Sequence, residues 1–484
     1  MVLGVAPEDG ETVQALCERY GITADIIGKF SDNGKMLRVN YGDMKVTDLS
    51  LDFLFTKNPT QTITGKFDAV QFDSAAIPEL SSDGLRDTIH KTLSHLNVCS
   101  REPIVRQYDH YVRTGNYSSY FEGRHRDTPQ DAMVFKPVLD SDRGFSVAHG
   151  MCPNTSFIDP YHGAISATVE ALSNLLSRGV DLKKVFLMDN FIHAKPDNEI
   201  DIGTLDRSVD GVCDAATAFG APFVSGKDSL GGTFKGDNGV IKVKPTLCVT
   251  AVGIIPDVKK SLPNHFQKSG NRLFFVGNVD FLQLGGSVFS QIRKLSTNNV
   301  PRVDVEKTKL VFGALSAAMA DGCVISCHDV SDGGMVTTLA EMSMGENLGC
   351  EISLDQLHFA PTVGILFHET PGCFVIEVSR EFDPSKYGVN GNIFEIGHIR
   401  KDDTFIIMKH ATALFNTSVG ELRNWIKNPL FEKYFPVGSR NLQIEESLSH
   451  DSSSPRAFAT LSKKPRTLVL RAPVINSEEE TRYS

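Results

Sequence analysis

Two aspartates, a serine and a glycine pair fall within Cys327-His328-Asp329-Val330-Ser331-Asp332-Gly333-Gly334. A β-branched run from Cys323 to Ser326 precedes them, and a helical pattern from Met335 to Met344 follows. The spacing therefore puts Asp329 and Ser331 where a strand hands over to a helix N-terminus. Carboxylates hold Mg²⁺, while a hydroxyl and the free backbone N–H groups of a helix start hold phosphate oxygens. The same residues also suit an Asx turn that caps a helix. A second group of oxygen donors lies upstream, in a helix that Asp159-Pro160 starts and Arg178-Gly179 stops. Ile165, Val169, Leu172, Leu175 and Leu176 form its apolar stripe, and Ser166, Glu170 and Asn174 form a row at i, i+4 and i+8 on another face. A carboxylate and an amide oxygen one turn apart fit a hard cation or a solvated face; the small apolar residues around them are odd for a solvated face. Asp131 follows Thr128-Pro129-Gln130 at the mouth of a strand from Ala132 to Phe135. With Glu170, Asn174 and Asp329 it completes an oxygen-ligand set for Mg²⁺ ions carrying nucleotide phosphates.

Two further segments carry polar groups beside strands. Gly226-Lys227-Asp228-Ser229-Leu230-Gly231-Gly232 follows a strand from Pro222 to Ser225. It fails as a P-loop, because five residues separate Gly220 from Gly226 and Asp228 stands where Ser or Thr must follow the lysine. The remainder reads as a flexible loop suited to an anionic substrate, or as a plain hairpin turn. Asp189 closes a strand from Val185 to Met188, and strand ends in open α/β sheets face the ligand crevice. His149, His162, His193 and His368 form no metal spacing and read as structural or surface residues.

The elements that must position these groups need a sizeable fold. At 484 residues, 41% hydrophobic and 22% charged, the chain has room for two to four domains. A net charge of −10 without basic runs argues against nucleic acid, and no apolar stretch is long enough for a membrane. Nine cysteines without zinc or CxxC spacing point to a reducing, cytoplasmic setting, with Cys323 and Cys327 as core thiols. Arg19-Tyr20-Gly21, Ile27-Gly28-Lys29-Phe30, a turn at Ser31–Gly34 and Met36–Val39 repeat, far upstream, the order of Lys386-Tyr387-Gly388, Ile396-Gly397-His398-Ile399, the turn at Lys401–Asp403 and Phe405–Met408. Each copy follows a strand-like run, Val2–Val5 or Phe374–Val378. This predicts an internal duplication with most of the first unit outside this chain. The expected order is a remnant of a first α/β domain at 1–57, a linker at 58–99 with a helix from Asp83 to Leu96, a domain at 100–257, and an α/β domain at 265–428. Another linker at 429–464 and the start of a truncated domain at 465–484 complete it.

With those residues placed, the chain resembles phosphoribosylformylglycinamidine synthase, an ATP-dependent amidating family. The resemblance is carried by Arg106-Gln107-Tyr108-Asp109-His110, Ile158-Asp159-Pro160, Glu170-Ala171-Leu172-Ser173-Asn174-Leu175, Leu187-Met188-Asp189-Asn190-Phe191, Ser225-Gly226-Lys227-Asp228-Ser229-Leu230 and the 327–334 motif running on to Thr338-Leu339-Ala340-Glu341-Met342. It implies a mixed α/β and α+β fold. Residues 100–257 would be a barrel-forming domain like that of aminoimidazole ribonucleotide synthetase, and 265–428 its α/β partner. Residues 465–484, with Arg466–Pro473, would open a class I glutaminase domain. It further implies Asp131, Glu170, Asn174 and Asp329 as magnesium ligands, Asp189, Gly226 and Ser331 as ATP or ADP contacts, and Ser229 as a substrate contact. No catalytic residue is expected, because the family's catalytic histidine belongs to the first unit. The expected activity is part of the conversion of formylglycinamide ribonucleotide to its amidine, with a first synthetase half and a glutaminase as partners. The alternative is a non-catalytic nucleotide-binding scaffold half.

Overall fold

The computed structural model describes residues 2–434 except 31–33, 57–61, 74–75, 109–114, 238 and 389–390. The expected linker and glutaminase start beyond residue 434, and Asp109-His110 of the first motif, lie outside the described residues.

Two sheets dominate. The first has six strands in the order Asn116–Ser118, Met133–Phe135, Gly144–Gly150, Thr246–Ile255, Val185–Ile192, Phe223–Ser229. All its pairings are antiparallel except the last, which is parallel. Thr246–Ile255 shows why such segments are strands: burial alternates along all of it, one face toward the core and one outward. The second sheet has seven strands in the order Val324–Asp329, Phe374–Val378, Arg272–Val276, Ile393–Ile399, Cys350–Ser353, Thr404–Lys409, Thr412–Ser418. Its one parallel pair joins Cys350–Ser353 to Thr404–Lys409.

The Pro160–Ser177 helix is the keystone between the sheets. Asp159 caps it, its Oδ1 accepting from His162 N–H at 3.0 Å. Val169, Leu172 and Leu175 share one core with Ala148, Leu187 and Val249 of the first sheet and with Phe374, Ile376 and Cys327 of the second. Leu273, Phe275 and Val375 point to the opposite face of the second sheet. They pack there with the Ser82–Leu93, Met335–Met344 and Val419–Tyr434 helices through Leu85, Ile89, Leu339 and Ile426. The middle of the second sheet is thus covered on both faces, and Phe374–Val378 is buried at every residue.

The sequence places most of these elements correctly and misjudges four. The Met335–Met344 helix has the expected bounds, and the helix near Asp83 runs from Ser82 to Leu93. The strand at Val185 continues to Ile192, so Asp189 is internal and not a strand end. Gly226–Ser229 is likewise strand and not flexible loop, because it pairs in parallel with Met188–Ile192. The strand before Asp329 begins at Val324, so Cys323 lies outside it, half-buried, while Cys327 is fully buried. In the upstream copy, Val2–Val5 and Ile22–Phe30 are not strands, although the hairpin Met36–Tyr41/Met44–Ser50 and the following Leu51–Thr56 helix match Thr404–Lys409/Thr412–Ser418 and the Val419–Tyr434 helix. Backbone N–H and C=O groups settle into a strand only beside a partner strand, and among the described residues none pairs with Ile22–Phe30, whose Ile22 N–H and Ala24 O bond instead to Cys17 and Gln14 of the preceding helix. Ile27 and Phe30 are correspondingly 81% and 92% exposed.

One buried group gives a pH prediction. His368 is fully buried against the edges of Phe275 and Phe281, and neither ring nitrogen finds a partner. Burial pushes its pKa down to about 3. The depressed value means that below the unfolded pKa only the unfolded chain takes up the proton. Stability is therefore intact above about pH 6.5 and falls as pH drops toward 3, by about 2 kcal/mol at pH 5. His368→Leu is expected to remove that slope. Urea denaturation at pH 7.5 and 5.0 checks it; equal slopes in both proteins would dismiss the assignment.

Candidate functional site

The site forms where the first sheet, the keystone helix and the end of the Val324–Asp329 strand meet. Asp131 stands two residues before Met133–Phe135. Its Oδ2 accepts from the Asp329 N–H at 3.1 Å and from Asn264 Nδ2 at 2.9 Å. Its Oδ1 lies 2.9 Å from His328 Nδ1, which is also 3.2 Å from Asp329 Oδ1. Glu341 anchors the other ring nitrogen at 3.0 Å. Burial alone would lower the His328 pKa, but the Asp131 carboxylate, then Asp329 and Glu341, hold it well above the ordinary value. Asp131, His328 and Asp329 each turn a metal-capable atom to within 4.8 Å of the others.

Glu170 approaches from the keystone helix. Gly150 makes this possible: a Cβ there would lie 2.1 Å from Ala167 O and 2.5 Å from Ala171 N, so only glycine lets the helix settle on the strand end. The next residue, Met151, donates its N–H to Glu170 Oε2 at 2.8 Å, and one turn along Asn174 Nδ2 donates to His149 O at 2.9 Å. Burial, then the charges of Asp332 and Asp329, push Glu170 up to about 8. Burial, then Asp131, push Asp329 up to about 6. Asp329 thus links two acidic groups from distant segments: it sits with Asp131 and His328 in one cluster, and its charge is felt by Glu170, which has Asn174 beside it. Excess negative charge on hard oxygen donors is what a divalent cation relieves, and these residues fit Mg²⁺.

A cleft beside Glu170 is lined by Asn97, Cys152, Asn154, Ser331, Asp332 and Glu369. Ser331 therefore shares a wall with Glu170. The helix start behind it is less open than its sequence promises: Gly333 gives its N–H to Glu369 Oε1 at 2.7 Å, and Val288 does so at 2.9 Å. Burial, then Asp332, hold the Glu369 carboxyl well above the usual range.

The remaining predicted contacts divide by sheet face. Gly150, Val249, Asp189 and Gly226 lie in one register row across four strands. A Cβ on Gly226 would meet Asp189 Oδ1 at 2.2 Å, so Asp189 occupies the space that this glycine leaves. Both lie on the face that carries the keystone helix, with Leu187 and Phe191. Ser229 is on the opposite face: its Oγ donates to Asn190 Oδ1 at 3.1 Å and accepts from Lys227 Nζ at 2.8 Å. Asp189 and Gly226 therefore share a face with Glu170, and Ser229 does not.

Sequence reading missed Asn264, His328, Glu341 and Glu369. His328 carried one usable signal, its place beside Asp329, but neighbours in a strand normally point apart. The Asn264 and Glu369 roles rest on contacts more than a hundred and more than thirty residues away in sequence, respectively.

Comparison with known proteins adds the family. Residues 129–255 match the N-terminal domain, and residues 268–409 the C-terminal domain, described as "AIR synthase related protein". Together they cover more than half of the chain. The chain is 28% identical over 425 residues to the phosphoribosylformylglycinamidine synthase subunit PurL of Thermoplasma acidophilum, covering 87% of this chain and 54% of that protein. The same-named protein of Thermoplasma volcanium is 30% identical over 379 residues, covering 78% and 48%. The chain thus spans about half the length of the curated relatives it matches. Among solved structures, Thermotoga maritima PurL complexed with FGAR superposes with a TM-score of 0.53 at 15% identity, covering 71% of this chain and 54% of that one. PurLQS from the same organism gives 0.52 at 17%, covering 71% and 52%. At these identities the superpositions establish the fold.

Proposed function

Because the chain belongs to the AIR synthase related family, we propose that it is the nucleotide-holding half of a phosphoribosylformylglycinamidine synthase, a ligase of purine biosynthesis. The observation that carries this reading is the convergence of Asp131, Glu170 and Asp329, with Asn174 beside them, at a domain junction. In this reading Asp131, Glu170, Asn174 and Asp329 hold Mg²⁺, which supplies charge neutralisation for the diphosphate or triphosphate of ADP or ATP. Ser331 offers its hydroxyl from the adjoining cleft wall. Asp189 and Gly226 receive the nucleotide along the same sheet face, the Asp189 carboxylate lying over Gly226. Ser229, on the other face with Lys227 and Asn190, meets the anionic ribonucleotide substrate.

The complete enzyme would use ATP to activate the formamide oxygen of formylglycinamide ribonucleotide, after which ammonia displaces phosphate to give the amidine. The first synthetase-like half would bring the catalytic histidine, and a glutaminase domain or subunit the ammonia. The curated names of the relatives support this assignment, as do the two domains in matching order. Among the described residues no helix is long and apolar enough to cross a membrane.

Calorimetry of the purified chain with ADP tests the reading. Binding is expected with Mg²⁺ and is expected to disappear when EDTA removes it. ADP binding of equal strength in EDTA would reject a metal-bridged nucleotide site.

A further inference from the structure

The junction between the two matched domains contains one fully buried amide, Asn264, 0% exposed. We propose that Asn264 is a positioning residue that fixes Asp131 and Asp329 at the spacing a divalent cation needs, so that the metal site is assembled across the domain junction. This rests on the nucleotide reading above and extends it to a residue that touches neither metal nor nucleotide.

The contacts orient the amide without ambiguity. Asn264 Oδ1 accepts from the Asp131 N–H at 2.9 Å and from Arg178 Nη1 at 3.2 Å. Both partners can only donate, so the oxygen must face them. The amide nitrogen is thereby turned to Asp131 Oδ2 at 2.9 Å and to Cys327 O at 2.5 Å, with Ser177 Oγ at 3.4 Å. Its backbone N–H donates to Gln130 Oε1 at 3.2 Å, and Gln130 is itself held by Arg178 at 2.6 Å. One side chain therefore grips Asp131 from front and back and, through Cys327, the strand that ends at Asp329. The Asp329 N–H closes the ring on Asp131 Oδ2 at 3.1 Å.

The ring has a chemical consequence. Two N–H donors occupy Asp131 Oδ2, so an incoming ion meets Oδ1, where it takes the place of the His328 ring that lies 2.9 Å away. Remote hydrogen-bond partners of metal ligands are worth about 10–100-fold in metal affinity. Without Asn264, only the Asp329 N–H and the His328 ring still tie Asp131 to the strand end, and the amide link from Asp131 to Cys327 O is lost.

The test uses the full chain and Mn²⁺ alone, followed by its electron paramagnetic resonance signal, with Mg-ADP calorimetry in parallel. Asn264→Ala and Asn264→Ser, the second too short to reach Asp131, are expected to weaken Mn²⁺ binding about 10–100-fold. In an Asp131→Asn background they are expected to add little, because the group they position is already altered. Leu315→Ala, a core change on the Val305–Ala320 helix, serves as a destabilised control expected to retain metal affinity. Wild-type Mn²⁺ affinity in both Asn264 variants, or an undiminished loss in the Asp131→Asn background, would overturn the proposal while leaving the nucleotide reading intact. A wild-type chain that binds neither Mn²⁺ nor Mg-ADP would overturn both.

Discussion

Asp329→Asn is expected to reduce Mg-ADP affinity by at least about 100-fold, more than loss of an outer hydrogen-bond partner. The same change is expected to raise the melting temperature of the metal-free chain. Burial and Asp131 together hold the Asp329 pKa up near 6. A raised carboxylate pKa means that the folded state resists ionisation: stability is present at low pH and declines as pH climbs from the unfolded value through 6. At pH 7.5 the cost is fully in force, about 1–3 kcal/mol, and a neutral amide escapes it. The two signs belong together, because a site that destabilises the empty protein is one whose charge awaits a cation. Melting curves in EDTA and in excess Mg-ADP check both: the variant should melt above wild type in the first and below it in the second. Unchanged Mg-ADP affinity would remove Asp329 from the ligand set.

Gly334→Ala is expected to cost about 3–5 kcal/mol of folding stability, combining backbone strain with overpacking. Gly334 has φ 75° and ψ −169°, a region effectively closed to side chains. A Cβ there would stand 2.6 Å from Phe367 Cα and 2.7 Å from Leu366 O, backbone atoms of a buried segment that cannot rotate away. Gly333→Ala, at φ 85°, meets Thr337 Oγ1 first, a side-chain atom that can turn, and should cost less. Guanidinium denaturation ranks the two. A Gly334→Ala loss below about 1 kcal/mol would show that the Val330–Gly334 loop yields where the packing says it cannot.

The glycine pair illustrates how far the sequence carries. Its position between a β-branched run and a helical pattern was enough to place a turn there, and the Met335–Met344 helix begins where the pattern does. The reason for the second glycine, Gly334, is not legible, because it lies in Phe367, more than thirty residues away. Asp189 shows the converse. A short apolar run suggested that the strand stopped at Met188, but pairing with Thr246–Ile255 on one side and Phe223–Ser229 on the other extends it through polar residues to Ile192. Hydrogen bonding to neighbours outranks local composition, so polar residues inside a sheet read as loop until the neighbours are known.

The sequence by itself determined the elements: a capped helix carrying Glu170 and Asn174 one turn apart, a strand delivering Asp329, and an acidic group at the mouth of another strand. Those follow from periodicity and caps, which are local. Only the tertiary structure decided that Asp131 and Asp329 share a hydrogen bond, that Ser229 faces away from Glu170, and that Asn264 and His328 stand among the carboxylates. Such relations are set by how the keystone helix seats between two sheets, through contacts that span 100 residues or more. Spacing along a chain fixes direction within one element; distance between elements exists only once their apolar faces have found each other.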